Sequence, residues 1–116
     1  MKVLLLSAPW SEVYGRFADF THGLNRNQPF GLCCLAGSLR AAGHEAHVVD
    51  METLPRTRSA VVESVRRFKP DLVGISSATP SFPFLCRIAE IVKDEFSLPV
   101  VIGGPHVTAE AERALE

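Results

Sequence analysis

Four short apolar runs, separated by segments of helical periodicity, are the feature that most limits how this sequence can fold. The runs are mostly continuous rather than alternating, and they comprise Val3–Leu6, Ala46–Val49, Leu72–Ile75 and Val100–Ile102. Short continuous apolar runs are typical of strands that are covered on both faces. The sequence therefore predicts a parallel sheet with helices on each side.

The segments between the runs carry apolar residues at helical spacing. Gly43 follows the first segment, where a left-handed helix cap belongs, while Ser59 and Thr108 are the expected N-caps of the second and fourth helices. With right-handed crossovers, the order β-α-β-α-β-α-β-α predicts a doubly wound open α/β sheet. The strand order that we expect for this sheet is 2-1-3-4. The first three apolar faces comprise Leu32, Leu35, Ala36 and Leu39; Val61, Val65 and Phe68; and Leu85, Ile88, Ala89, Val92 and Phe96.

Size and charge exclude several classes of protein. A chain of 116 residues with 47% hydrophobic and 22% charged residues makes one globular domain. A net charge of −1 does not favour nucleic acid as a partner. The longest apolar run, Val3–Leu6, is far shorter than the roughly 20 residues of a membrane span, and no signal-peptide cleavage pattern is present. We expect a cytoplasmic protein without nucleic-acid or membrane partners.

The three cysteines do not form a disulfide framework or a metal-ligand pattern. Cys33 and Cys34 are adjacent, and Cys86 is distant in sequence. Since free cysteine is among the most buried residue types, all three are expected in the core.

The residues that follow the predicted strands indicate what the sheet binds, because open parallel sheets bind ligands at the carboxyl ends of their strands. Ser7–Trp10 lacks a glycine-rich phosphate loop, which excludes a dinucleotide fingerprint and a Walker loop. Ser76–Ser81 holds four hydroxyl residues in six positions, either as an N-cap cluster or as ligand contacts. Gly103–His106 begins with two glycines, which either make a tight turn or let a bulky ligand lie against bare backbone. Together these segments predict a polar slot with one wall that lacks side chains.

These residues, taken together, resemble the N-terminal cobalamin-binding domain of cobalamin-dependent radical SAM enzymes. The resemblance implies a flavodoxin-like (Rossmann-like) fold, with the corrin over the carboxyl edge of the sheet and the nucleotide tail between strands and helices. It also implies that 1–116 is one domain of a longer chain. The matching blocks are Lys2–Leu6 with Pro9, Pro29–Leu32, Leu39–Glu45 with Asp50, Pro70–Ser77 and Val101–Thr108.

Beyond Glu116, the resemblance implies a fifth strand and a radical SAM barrel that holds S-adenosylmethionine and a four-iron four-sulfur cluster. The barrel's Cys-x-x-x-Cys-x-x-Cys signature is absent from this sequence, so no catalytic residue is expected here. The full enzyme is expected to be of the methyltransferase or cyclase type. A stand-alone corrinoid carrier or sensor, or an α/β module for another small ligand, are the alternatives.

Eleven residues are the expected cofactor contacts. Hydroxyls of the Ser76–Ser81 segment serve the nucleotide tail, the paired glycines leave room for it, and the long loop between Pro9 and Phe30 covers part of the macrocycle. The full set is Pro9, Trp10, Gln28, Phe30, Gly31, Ser76, Ser77, Thr79, Gly103, Gly104 and His106.

The lower axial ligand of cobalt is expected to be missing. Related cobalamin domains carry Asp-x-His-x-x-Gly before the first helix, and alignment on Gly31 places Arg26 at the Asp position and Gln28 at the His position. A carboxamide is a poor cobalt ligand. The resemblance therefore implies cobalamin held without a histidine ligand and no metal-ligating residue in this domain.

Overall fold

The computed structural model describes residues 1–8, 30–51 and 57–115. Its four parallel strands lie in the order β2-β1-β3-β4. The predicted doubly wound, flavodoxin-like α/β sheet is confirmed, since the chain first adds a strand on one side of β1 and then crosses to the other. The strands are β1 (Lys2–Ser7), β2 (Glu45–Asp50), β3 (Leu72–Ser76) and β4 (Val100–Gly103).

Helices connect the strands, and two residues that were expected to be N-caps lie inside helices instead. Gly43 has a φ of +90°, as expected after the first helix. Ser59 lies inside the second helix, which begins two residues earlier, at Thr57. Thr108 also lies inside a helix, where its hydroxyl donates to the Gly104 carbonyl at 3.0 Å. The helices are α1 (Phe30–Ala41), α2 (Thr57–Phe68), α3 (Phe82–Phe96, after a 3₁₀ turn at Thr79–Ser81), α4 (Pro105–Ala109) and α5 (Ala111–Ala114).

The two faces of the sheet carry separate apolar clusters. Because successive side chains of a strand point to opposite faces, Leu4 and Leu6 of β1 pack with α2 and α3, whereas Val3 and Leu5 pack with α1. All four side chains are at most 5% exposed. The continuous apolar run of β1 thus serves two cores, as the sequence predicts.

The expectation that all three cysteines are buried was wrong. Cys33 and Cys34 are exposed, and Cys86 is half-buried. In α1 the buried residues are Leu32 and Ala36, which lie one turn apart. Since each helical residue is rotated by about 100° from the previous one, the two cysteines that follow Leu32 turn away from the sheet.

In the described part of the chain, no helix is long and apolar enough to cross a membrane.

Candidate functional site

A row of polar residues and glycine marks the carboxyl edge of the sheet. Asp50, Ser7, Ser76 and Gly103 stand in register across the four strands. The Ser7 hydroxyl donates to Asp50 Oδ1 at 3.1 Å, and the Ser77 amide donates to the Gly103 carbonyl at 3.3 Å. The strand ends are therefore held together at the edge where ligands of such sheets bind.

Gly104 turns the chain sharply from β4 into α4. Its φ is +106°, a conformation that residues with a side chain rarely adopt. A Cβ atom at this position would lie 2.3 Å from the Ser77 carbonyl oxygen and 3.0 Å from Ser76 Oγ. The space at Gly104 is thus filled by the neighbouring strand end, so the fold itself requires glycine here.

Gly103 and Gly31 differ from Gly104 in what surrounds them. A Cβ added at either position would meet no atom within 4 Å. Gly103 ends β4, and Gly31 lies in the first turn of α1. Both therefore present bare backbone to open space at the carboxyl edge.

That open space is a groove of about 450 Å³ on the α1 face of the sheet. Strands β1, β3 and β4 form its floor, and α1 forms one wall. The expected polar slot is therefore corrected, because the surface of this groove is predominantly apolar, with glycine backbone and Ser76 at the carboxyl end. The groove is lined by Met1, Val3, Leu5, Gly31, Leu32, Leu35, Leu39, His44, Leu72, Gly74, Ile75, Ser76, Val101, Gly103 and Gly104.

The groove exists because the described residues cover this face unevenly. α1 packs over β1 and β2, where Leu32 and Ala36 meet Val3 and Ala46. Val101 of β4 is 56% exposed, although the sequence predicted a strand covered on both faces. Leu35, expected on the packed face of α1, is 54% exposed and lines the groove. Sequence periodicity identifies such residues as apolar but does not distinguish a groove wall from a core.

The hydroxyl residues after β3 differ in their burial and in their hydrogen bonds. Ser81 is completely buried, and its Oγ accepts from the Ala78 amide and donates to the Ala78 carbonyl, both at 3.2 Å. Although Ser81 precedes α3, it makes no side-chain cap hydrogen bond. Ser77 is 6% exposed, and its Oγ has no hydrogen-bond partner among the described residues. Ser76 lines the groove.

The other expected contacts are distributed around this edge. The His106 ring packs on Phe82, with ring centroids 4.2 Å apart, and His106 is not among the groove-lining residues. Phe30 is 78% exposed at the start of α1, next to Gly31. The remaining expected contacts fall outside the described part of the structure: Pro9, Trp10, Gln28 and the side chain of Thr79.

A charged group with a shifted pKa, Glu45, lies at the opposite end of β2 from this edge. At the amino end of β2, His47 Nε2 donates to Glu45 Oε1 at 3.0 Å, and this hydrogen bond together with the Lys2 charge lowers the pKa of Glu45. Among the residues that the structure describes, no group of three or more His, Cys, Asp or Glu side chains is arranged to hold a metal ion. The groove therefore suits a largely uncharged ligand segment.

A groove that opens at the carboxyl edge of a parallel α/β sheet lies where proteins of this architecture bind their ligands. Residues 21–116 match the family model described as B12 binding domain, and the chain belongs to this family. The resemblance to cobalamin-binding domains is thus confirmed. Two features of the described residues fit such a cofactor: Gly31 and Gly103 leave the mouth of the groove free of side chains, and the buried Ser77 hydroxyl has no hydrogen-bond partner among the described residues.

Two relatives extend this comparison. The chain is 32% identical over 113 residues to an uncharacterized methyltransferase of Pyrococcus horikoshii, which covers 97% of this chain and 23% of the relative. It is 31% identical over 107 residues to an anaerobic magnesium-protoporphyrin IX monomethyl ester cyclase of Synechocystis, which covers 90% of this chain and 20% of the relative. The chain thus spans less than a quarter of the length of these relatives.

Proposed function

We propose that this domain holds cobalamin with the corrin at the carboxyl edge of the sheet and the nucleotide tail in the groove. The groove itself is the observation that carries the proposal. It opens at the row formed by Ser76 and Gly103, and its floor of strand residues leads toward the amino edge. A flat macrocycle with a long side arm requires an open edge joined to such a groove.

The residues at the mouth of the groove have complementary tasks. Ser76 offers a hydroxyl at the end of β3, whereas the hydroxyl of the next residue, Ser77, is buried, does not line the groove and makes no bond to the described chain. Gly31 and Gly103 keep the two sides of the entrance free of side chains. When bound, cobalamin supplies a cobalt centre for methyl transfer or redox chemistry, while this domain binds and orients it.

For the whole protein, we propose a radical SAM enzyme of the methyltransferase or cyclase type. The two relatives are named as a methyltransferase and a cyclase, and both are several times longer than this chain. In this proposal, the present domain precedes a radical SAM barrel of the same chain, which binds S-adenosylmethionine and a four-iron four-sulfur cluster.

We further propose that the domain provides no histidine to the lower face of cobalt. Gln28 occupies the ligand position of the histidine motif by sequence. Among the described histidines, His47 is bonded to Glu45 and His106 packs on Phe82. Electron paramagnetic resonance of the cobalt(II) form should show no threefold nitrogen splitting. His22, near Gln28 in the sequence, is the rival source of an imidazole, so a splitting that disappears in His22→Ala would overturn this part of the proposal.

Cofactor retention tests the central proposal. The complete native chain, mixed with hydroxocobalamin and passed through gel filtration, should elute with the visible absorption of the corrin in a near-equimolar amount. Free hydroxocobalamin and an unrelated protein of similar size provide the background. Elution of the folded chain without corrin absorption would overturn the assignment.

A further inference from the structure

Cobamides are cobalamin-like cofactors that differ in the lower base, the group at the end of the nucleotide tail. We propose that the groove selects among cobamides by this base, and that it favours an apolar base such as a phenol or benzimidazole over a purine. This inference rests on the proposed function, since it assumes that the nucleotide tail lies in the groove. It goes further by naming the chemical class of tail that the groove accepts. The evidence is where polar groups stand along the groove.

The polar side chains that line the groove lie at its two ends. Ser76 is at the carboxyl end of β3, whereas His44 precedes the amino end of β2. Between them the lining consists of hydrocarbon, with Leu5 on the floor and Leu35 and Val101 on opposite sides. The middle of the groove therefore offers a bound base no side-chain donor or acceptor from the described residues.

The backbone groups between the floor strands do not make up for this, because β1 pairs with β3 and β3 pairs with β4, although the outer edge of β4 has no described partner strand. Val3 pairs with Leu72 between β1 and β3, and Gly74 pairs with Val101 between β3 and β4. Parallel pairing uses the N–H and C=O groups that such strands share. A base that lies on this floor meets apolar side chains and engaged backbone.

Cobamides with different lower bases place very different demands on such a surface. p-Cresol has no nitrogen, and dimethylbenzimidazole has one ring nitrogen that does not carry the sugar. Adenine adds an exocyclic amine and further ring nitrogens, all hydrogen-bonded in water. A polar group that is buried without a partner loses those bonds uncompensated. The apolar groove therefore discriminates against the purine.

The test compares three probes on the complete native chain: p-cresolylcobamide, adeninylcobamide and cobinamide, which lacks the nucleotide. Phenol does not coordinate cobalt and adenine coordinates it weakly, so release of the base from cobalt contributes little to the comparison. Absorbance titration should show p-cresolylcobamide binding about tenfold to a hundredfold more tightly than adeninylcobamide, the range for one or more unpaired buried polar groups. Cobinamide should bind more weakly than p-cresolylcobamide.

Substitutions on the two sides of the groove locate the selectivity. Val101→Asn and Leu35→Asn place an amide beside the base, at positions that are 56% and 54% exposed and therefore tolerant of change. Each should reduce the p-cresolyl to adeninyl affinity ratio. Leu115→Asn is the matched control, since Leu115 is 82% exposed and outside the groove lining, and it should leave the ratio unchanged.

The outcomes separate this inference from the function on which it rests. Equal affinities for p-cresolylcobamide and adeninylcobamide would overturn the selectivity, but not cobalamin binding. The same holds if neither groove substitution changes the ratio of these two affinities. Cobinamide binding as tightly as p-cresolylcobamide would show that the nucleotide does not occupy the groove, and would also overturn it. Failure to bind all three probes would overturn the proposed function itself.

Discussion

The backbone of Gly104 lies directly against the backbone of Ser77, so that a Cβ atom on Gly104 would stand 2.3 Å from the Ser77 carbonyl oxygen. This contact joins the turn after β4 to the end of β3, and it coincides with a left-handed φ of +106°. Conformation and space thus both demand glycine at this position. Gly103, one residue earlier, is under neither constraint.

Gly104→Ala should destabilise the fold by about 2 kcal/mol or more, since it adds the strain of a left-handed alanine to a steric overlap with backbone. Chemical denaturation of the cofactor-free protein measures the effect. Gly103→Ala is the matched control and should leave the free energy of unfolding nearly unchanged. Equal stabilities of the two variants would show that the contact between Gly104 and Ser77 is not needed.

Gly103→Val should leave the domain folded but weaken cobalamin binding. An added side chain at Gly103 meets no atom of the described chain within 4 Å and would project into the space that the proposed binding mode gives to the tail. Crowding of a bound group by extra methyl groups typically costs 1–3 kcal/mol, so we expect about a tenfold or greater loss of affinity. Titration with hydroxocobalamin, alongside thermal unfolding, gives both readouts. Unchanged affinity would mean that the tail lies elsewhere.

Ser77→Ala should have opposite effects on stability and on binding. The Ser77 hydroxyl is buried without a described partner, so its removal should stabilise the cofactor-free protein by up to about 1 kcal/mol. If the hydroxyl bonds to bound cobalamin, affinity should fall about two- to tenfold.

Ser81→Ala is the control for this pair of effects. The Ser81 hydroxyl is completely buried and makes two hydrogen bonds to Ala78, so its loss should destabilise the protein by about 1 kcal/mol. A Ser77→Ala variant that is destabilised like Ser81→Ala would contradict an unpartnered Ser77 hydroxyl.

Glu45 should make stability depend on pH in the acid range. The His47 hydrogen bond, followed by the Lys2 charge, lowers the pKa of Glu45 below its ordinary value of 4.5. A carboxylate with a lowered folded pKa contributes stability that is complete above the ordinary value and is lost as the pH falls through the folded value. The stability difference between the native protein and Glu45→Gln should therefore shrink below about pH 4.5.

Denaturation curves between neutral pH and pH 3 provide the measurement for Glu45. Glu63→Gln, on the exposed surface of α2, is the control for loss of a carboxylate without the His47 hydrogen bond. If the two variants depend on pH in the same way, the contact between Glu45 and His47 has no effect on stability.

The strands and their parallel connections were predictable because the relevant signals are local, whereas the strand order 2-1-3-4 does not follow from those signals. A continuous apolar run such as Val3–Leu6 identifies a strand that packs on two sides, and the helical segments between runs enforce parallel crossovers. The glycines and hydroxyls at the carboxyl edge were predictable for the same reason, since each follows directly from the end of a strand. Ser76 and Gly103 indeed stand in register on neighbouring strands.

The groove depended on packing between distant segments, which local patterns do not contain. The cysteine positions were missed for another reason, because the burial typical of free cysteine ignores where each residue lies around its helix. Leu32 and Leu35 are equally apolar, yet Leu32 is buried and Leu35 is half exposed. Cys33 and Cys34 follow Leu32 directly, but helix rotation turns them outward. Likewise, nothing in the pair Gly103 and Gly104 reveals that one glycine faces open space and the other a carbonyl oxygen.

The alternation of side chains along β4 has an evolutionary consequence. Val100 and Ile102 pack with α2 and α3, whereas Val101 and Gly103 border the groove. Mutations at Val101 and Gly103 therefore change the surface of the groove, while Val100 and Ile102 keep β4 packed in the core. In the proposed binding mode, single codon changes at Val101 or Gly103 should therefore alter which corrinoid binds without passing through an intermediate that fails to fold.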